Sequence, residues 1–405
     1  MITLDSVERV EATLNFTGPD KVPIWGGYGG EGGDIFSLVM VPPKEWRPGW
    51  IEEEKGLFPH SGDDMIINSG IWKWDMPEWA ASNPKYKRNK WLKFPREEID
   101  PWGTIWNRNG KNTSMGHPGR PTLTDWSMLD EHLQKYTPDN FDKSRYMPFL
   151  KMKEQFGRDK YRLGMLGLMG PFQMAQNMRG FSNFLIDHKK HPKELKRLLT
   201  HFTEHFIECM DGWIRFGGDP HGFLLIEDLA AQNGPFLSPK MFREFYEPVY
   251  ATLIKAAHDR GCTWFHHCCG KIDKIIPDLI KWGTDVLELD APRMTGYVDL
   301  KPFRGKITFF GCVDIQTVYT QGTPEECERE VWHMMRNLGT KEGGFGAYFY
   351  AQPMHIRVPS ANVRSFASGL EKYGTYSKIP SHWWDHPTIE EWDGHLVPPL
   401  PPLKA

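Results

Sequence analysis

The chain has 405 residues, with 49 Lys and Arg against 52 Asp and Glu, a formal charge of −3. That balance argues against a basic nucleic-acid-binding protein. Forty per cent hydrophobic and 25% charged residues describe an ordinary globular chain long enough to bury a sizeable core. No apolar run approaches the roughly 18 residues of a membrane span, and the opening MITLDSVERVEATLNF lacks a secretory pattern, so a cytoplasmic protein is expected, with no membrane partner. The six cysteines (Cys209, Cys262, Cys268, Cys269, Cys312 and Cys327) are too few and too uneven for a secreted disulfide framework and read as free thiols.

In chain order, SVERVEATLNF has helical apolar spacing with Ser6 as a candidate N-cap, and KVPIW reads as a short buried strand. A glycine run at 26–33 follows. It lacks a GxGxxG motif framed by strand and helix and any Walker ending, which leaves a flexible lid or a close backbone approach to a flat ligand. From about 35 to 155 the chain is dense in Trp, Pro, Gly and charge, and reads as loops and short elements. After 158 the pattern becomes regular. DKYRLGML, HGFLLIED, CTWFHHCCG, TDVLELD, KITFFGCVD and GGFGAYFYA read as strands, and helical stretches separate most of them. Such alternation implies parallel strands with crossover helices, and the count suits a (β/α)8 TIM barrel over 1–375, with a loop-rich insertion at about 35–155. The Pro-rich stretch 376–405 reads as an extended arm that either lies on the body or joins two copies into a homodimer.

Barrels do their chemistry where strands end. FHHCCG at 265–270 crowds imidazole and thiol ligands at such a point, which suits zinc. Alternation along an extended segment puts His267 and Cys269 on one face and His266 and Cys268 on the other, so His267 and Cys269 can supply two ligands. Glu227 and Asp228 end FLLIED, where one carboxylate can face the barrel mouth and the other pair nearby. Asp314 in FFGCVDIQ and Glu288 with Asp290 in VLELD raise the same alternatives. The stretch His201 to His205 fits H-x-x-E-H. Leu195, Leu198, Leu199, Phe202, Phe206, Met210 and Trp213 form an apolar stripe from which His201 and His205 are displaced, and a solvated helix face accounts for them.

The order of these motifs resembles the uroporphyrinogen decarboxylase superfamily across most of the chain. RVEATLNFTGPDKVPIW is similar to its opening helix and strand, LLIEDLAAQNGPFLSPKMFREFYEPVY to its acid pair and Ser-Pro helix, FHHCCGKIDKIIPDL to its His-x-Cys-Gly loop, and FFGCVDIQTVYTQGTPEE to its Gly-x-Val-Asp strand. The family implies a (β/α)8 barrel and splits into decarboxylases and cobalamin-linked methyltransferases. After the first strand the decarboxylases carry an Arg-rich loop that holds substrate carboxylates. Here that place reads Trp25-Gly26-Gly27-Tyr28-Gly29-Gly30, which turns the resemblance toward the methyltransferases, O-demethylases among them. Their zinc site begins His-x-Cys, matched by His267 and Cys269, while the later cysteine of the thiol-methylating members is replaced here by the segment ending at His355.

The resemblance implies zinc held by His267, Cys269, His355 and Asp228, with Glu227 as acid or base, Asp314 as a second catalytic acid and Cys312 in reserve. It implies methyl transfer between a small methylated substrate and a corrinoid (cobalamin) on a separate partner protein. The wealth of tryptophan before residue 130 suits a methoxylated aromatic, walled by Trp25, Tyr28, Trp72 and Trp74. A decarboxylase-like lyase and a barrel that binds a tetrapyrrole or corrinoid without turnover are the alternatives.

Overall fold

The computed structural model describes residues 3–26, 32–43, 57–59, 95–109, 116–167, 169–351, 353–390 and 394–404, with the backbone alone at 57–59. Tyr28, Trp72 and Trp74 lie outside them. The chain divides into two compact units. Met1–Leu38, Met152–Met165 and Gly218–Ala405 form the first; Val39–Lys151 and Leu166–Gly217 form the second.

The first unit holds eight strands: β1 (Ile24–Trp25), β2 (Ile35–Leu38), β3 (Tyr161–Met165), β4 (Gly222–Asp228), β5 (Thr263–Cys269), β6 (Val286–Leu289), β7 (Thr308–Gly311) and β8 (Phe345–Tyr348). Their order in the sheet is β1-β8-β7-β6-β5-β4-β3-β2, and every pair is parallel. This is the expected barrel sheet, nearly closed, with continuous apolar strands such as GFLLI and VLEL buried on both faces. Helices α1 (Ser6–Leu14), α2 (Pro239–Asp259), α3 (Ile276–Trp282), α4 (Pro324–Leu338) and α5 (Ser360–Tyr373) belong to the same unit.

Hydrogen bonds tie the two edge strands together where they begin. Asp34 donates its N–H to the Ile24 carbonyl at 2.6 Å and accepts the Ile24 N–H on Oδ2 at 2.9 Å. Trp25 Nε1 donates to Ser37 Oγ at 2.9 Å across the same seam. Arg9 of α1 binds Asp20 at 2.7 Å and Asp34 at 2.6 Å, so a buried guanidinium ties the approach to β1 to the approach to β2. Trp25, named above as a substrate wall, is instead wholly buried, its ring 4.8 Å from that of Tyr348. It closes the seam.

The second unit contains a sheet of four short strands (Leu57–Pro59, Pro95–Ile99, Ile105–Asn109 and His117–Pro118) and the helices Pro171–Arg179, Phe181–Lys190 and Pro192–Arg215. The apolar stripe of the last helix is buried as its spacing requires. His205 departs from the expected solvated face. It is 3% exposed, because its Nδ1 pairs with Asn140 Nδ2 at 2.7 Å and the Trp102 ring stands edge-on 4.0 Å away. This unit extends beyond the expected insertion, since it also takes in the helices that follow β3.

The Pro-rich tail lies on α4 of its own chain. Glu326 accepts the N–H groups of Leu396 and Val397, Arg329 donates to the Val397 carbonyl at 2.6 Å, and Trp383 packs edge-on against Trp332 at 5.1 Å. Val397 is fully buried by these contacts. Among the described residues no helix is long and apolar enough to cross a membrane.

Candidate metal centre

Strand alternation and register together build the centre. On β5, His266 and Cys268 face outward. The His266 ring stands edge-on to Tyr250 of α2 at 5.2 Å, and the Leu229 N–H is 3.4 Å from Cys268 Sγ. Burial pushes the His266 imidazole down to about 3, so this ring is a neutral core group. His267 and Cys269 take the opposite face. Register then sets Asp228 of β4 beside Cys269, and Glu288 of β6 beside His267. Gly270 ends the strand at φ +90°, and a Cβ there would collide with the Ala230 carbonyl, so this turn after the two cysteines calls for glycine.

His267 Nε2 lies 3.5 Å from Cys269 Sγ and 3.9 Å from Asp228 Oδ1. Bonds of about 2.0–2.3 Å in a tetrahedral site imply ligand separations of roughly 3.3–3.8 Å, close to those observed. On the other side of the ring, His267 Nδ1 donates to Glu288 Oε2. Cys269 Sγ lies 3.5 Å from Asp290 Oδ2. Two donor groups result, Asp228–His267–Cys269 and His267–Glu288–Asp290, each with all its ligand atoms within 4.8 Å of one another.

Three carboxylates and a thiol thus surround one imidazole. Burial alone would lower His267, but the Glu288 carboxylate together with Asp290 and Asp228 outweighs it and lifts the imidazole to about 10. Burial and the Glu288 charge raise Asp290 to about 7, while burial and Asp290 raise the Cys269 thiol. Glu288 Oε1 and Asp290 Oδ1 are buried with no hydrogen-bond partner among the described residues. A pocket that must hold protons on acids, with buried oxygens left unpaired, fits a divalent cation that displaces those protons. The mixed S, N and O donor set suits zinc. Asp228, 45% exposed, is the open side of the group.

Other residues named from sequence stand elsewhere. Glu227 alternates with Asp228 and faces α2, where the Tyr250 hydroxyl donates to it at 3.0 Å; it is fully buried on the side away from His267. Asp314 is engaged in holding a turn. Its Oδ1 accepts from the N–H groups of Gln316 and Thr317 and from the Thr317 hydroxyl, and its Oδ2 from Met294 N–H. His355 joins neither donor group, and the Cys312 thiol donates to the Asp290 carbonyl at 3.1 Å. Glu288 and Asp290, strand-end acids left unassigned between function and capping, are what the sequence reading missed. The signal for them was the VLELD ending one strand over from FHHCCG.

A family model for uroporphyrinogen decarboxylase (URO-D) matches residues 115–369. No curated protein matches the chain. Among solved structures, a methyltransferase from Methanosarcina mazei shares the fold with a TM-score of 0.57 at 17% identity, over 91% of this chain and 99% of that chain. The family match starts ahead of β3, ends within α5 and takes in all five members of the donor groups. The chain belongs to the uroporphyrinogen decarboxylase family.

Proposed function

We propose that this chain is a zinc-dependent methyltransferase that moves a methyl group between a small methylated substrate and the cobalt of a corrinoid carried by a separate protein, with O-demethylation of a methoxylated aromatic as its reaction. The observation that carries the reading is the donor set Asp228, His267 and Cys269 at the carboxyl ends of adjacent barrel strands, backed by Glu288 and Asp290. The likeness in fold to the methyltransferase from Methanosarcina mazei accords with it.

Zinc held there would supply Lewis acidity to the oxygen that the departing methyl group leaves behind. The chain's own residues prepare the site. Glu288 accepts the Nδ1–H of His267 and so turns Nε2 toward Cys269 and Asp228, as an outer carboxylate does for a metal-bound imidazole. Asp290 sits against the thiol with one oxygen unpaired. The Tyr350 phenol, raised by burial and by the nearby Asp290, stays protonated and can donate beside the same acids. Decarboxylation of a polycarboxylate would instead need free guanidinium clamps. In the barrel unit Arg9 and Arg293 are already engaged, by Asp20 and Asp34 and by Glu330, and the buried Arg336 donates to Asn337 Oδ1.

The test is elemental analysis of the full chain beside His267→Ala and Cys269→Ala, then methyl transfer from methoxyarenes to a corrinoid protein. The expected result is about one zinc per chain, lost from both variants together with activity. Wild-type protein purified without chelators and free of zinc would overturn the reading.

A further inference from the structure

The second unit contains a pocket, part of it open to solvent, whose lining comes wholly from that unit. Its walls are apolar, with Met40, Leu166, Met169 and Met174 beside the indoles of Trp102 and Trp106. Two of the polar side chains in the lining, Arg145 and His205, are buried and each leaves a donor unengaged. Arg145 is 5% exposed, and its guanidinium has no carboxylate partner among the described residues. Its Nε donates to the Val41 carbonyl at 3.3 Å, and its Nη1 to the Asp139 carbonyl at 2.7 Å and Asn140 Oδ1 at 3.0 Å. Nη2 is left over. A buried guanidinium held directly by neutral carbonyl and amide oxygens gains from an anionic ligand.

His205 is the second group. Arg145 fixes the orientation of Asn140 by donating to its Oδ1, so Asn140 presents Nδ2 to His205 Nδ1 at 2.7 Å. The imidazole therefore accepts on Nδ1 and carries its proton on Nε2, which has no partner among the described residues. Arg145, Asn140 and His205 form a rigid relay that leaves two donors, Arg145 Nη2 and His205 Nε2, in one pocket.

Two donors, one of them on a cation, match the two oxygens of a carboxylate. Asp100 also lines the pocket, with its carboxylate held by the N–H groups of Trp102 and Thr104 and by Trp106 Nε1. The indole and methionine walls favour a flat apolar body with a single charged group. We propose that this pocket binds a small aromatic monocarboxylate, with Arg145 and His205 holding the carboxylate against a wall formed by Trp102 and Trp106. The site is built without any residue of the metal centre. Its test is therefore independent of the methyl-transfer reading.

Binding of benzoate, benzamide and acetate to the full chain is measured by titration calorimetry, before and after chelator treatment. Benzoate should bind at least tenfold tighter than benzamide or acetate in both states, and Arg145→Gln should bring benzoate down to the benzamide level. Arg145 also supports Asn140 and Val41, so Met174→Trp, which fills the pocket and leaves the relay intact, serves as the second variant and should abolish benzoate binding. Benzoate binding no tighter than benzamide or acetate, or binding that survives Met174→Trp or a folded Arg145→Gln, would overturn the proposal.

Discussion

Replacing Glu288 by glutamine tests how the centre is assembled. The carboxylate is fully buried and accepts the Nδ1–H of His267, so the substitution keeps the size of the side chain and removes the charge that polarises the ring. Outer carboxylates that orient a ligating histidine typically contribute 10–100-fold in metal affinity. At about 1.4 kcal/mol per decade that is roughly 1.4–2.8 kcal/mol. Competition with a chromophoric zinc chelator should therefore show Glu288→Gln binding about 10–100-fold more weakly than wild type, yet still filling to about one equivalent at high zinc. Cys269→Ala, which deletes a donor, should fail to fill. Two outcomes would refute the reasoning. Unchanged affinity in a folded Glu288→Gln would mean that the hydrogen bond does not orient the ring. Loss as complete as in His267→Ala would make Glu288 a ligand itself, in the group with Asp290.

Two further predictions concern stability. Glu330 is fully buried and holds Arg293 through two contacts of 2.6 Å and the Tyr297 hydroxyl through a third of 2.6 Å; Glu330→Gln leaves a buried guanidinium uncompensated and should cost about 3–5 kcal/mol, read as a lowered urea midpoint, and an unchanged midpoint would count against it. Burial, with Arg293 nearby, holds His333 down to about 3 from 6.5, and the ring meets the Pro398 carbonyl at 3.0 Å. Below pH 6.5 the unfolded chain takes up a proton that the folded one refuses, so stability is full above that pH and falls as pH drops toward 3. Midpoints measured from pH 7.5 to 5 should decline less steeply in His333→Gln than in wild type; parallel curves would contradict this.

Much of the barrel was legible because parallel strands buried on both faces are written as short apolar runs, and six of the eight stand out in that form after residue 158. The facing of His267 with Cys269 follows from a period of two alone. The same period separates Glu227 from Asp228, but which of the two turns inward depends on the register with β5. Register is a property of pairs of strands, and a single segment does not carry it. Glu288 was hidden for that reason, since only the alignment of β6 on β5 brings it to the imidazole. Asp314 followed by Thr317 carried the signature of a side-chain-capped turn. The pocket relay had no local signature, because His205 comes from a segment that meets Asn140 and Arg145 only in the folded second unit.

The seam between β1 and β2 bears on how the molecule is made. Ile24 pairs with Ala347, and Ile35 with Tyr161, so the first two barrel strands find their partners far along the chain. Contacts of such sequence separation are slow to form, because the loop between them must first be ordered. During synthesis the hydrophobic edge of β1 therefore waits for most of the chain to be translated. The Arg9 clamp across Asp20 and Asp34 needs no residue beyond Asp34 and can hold that edge in shape before β8 exists.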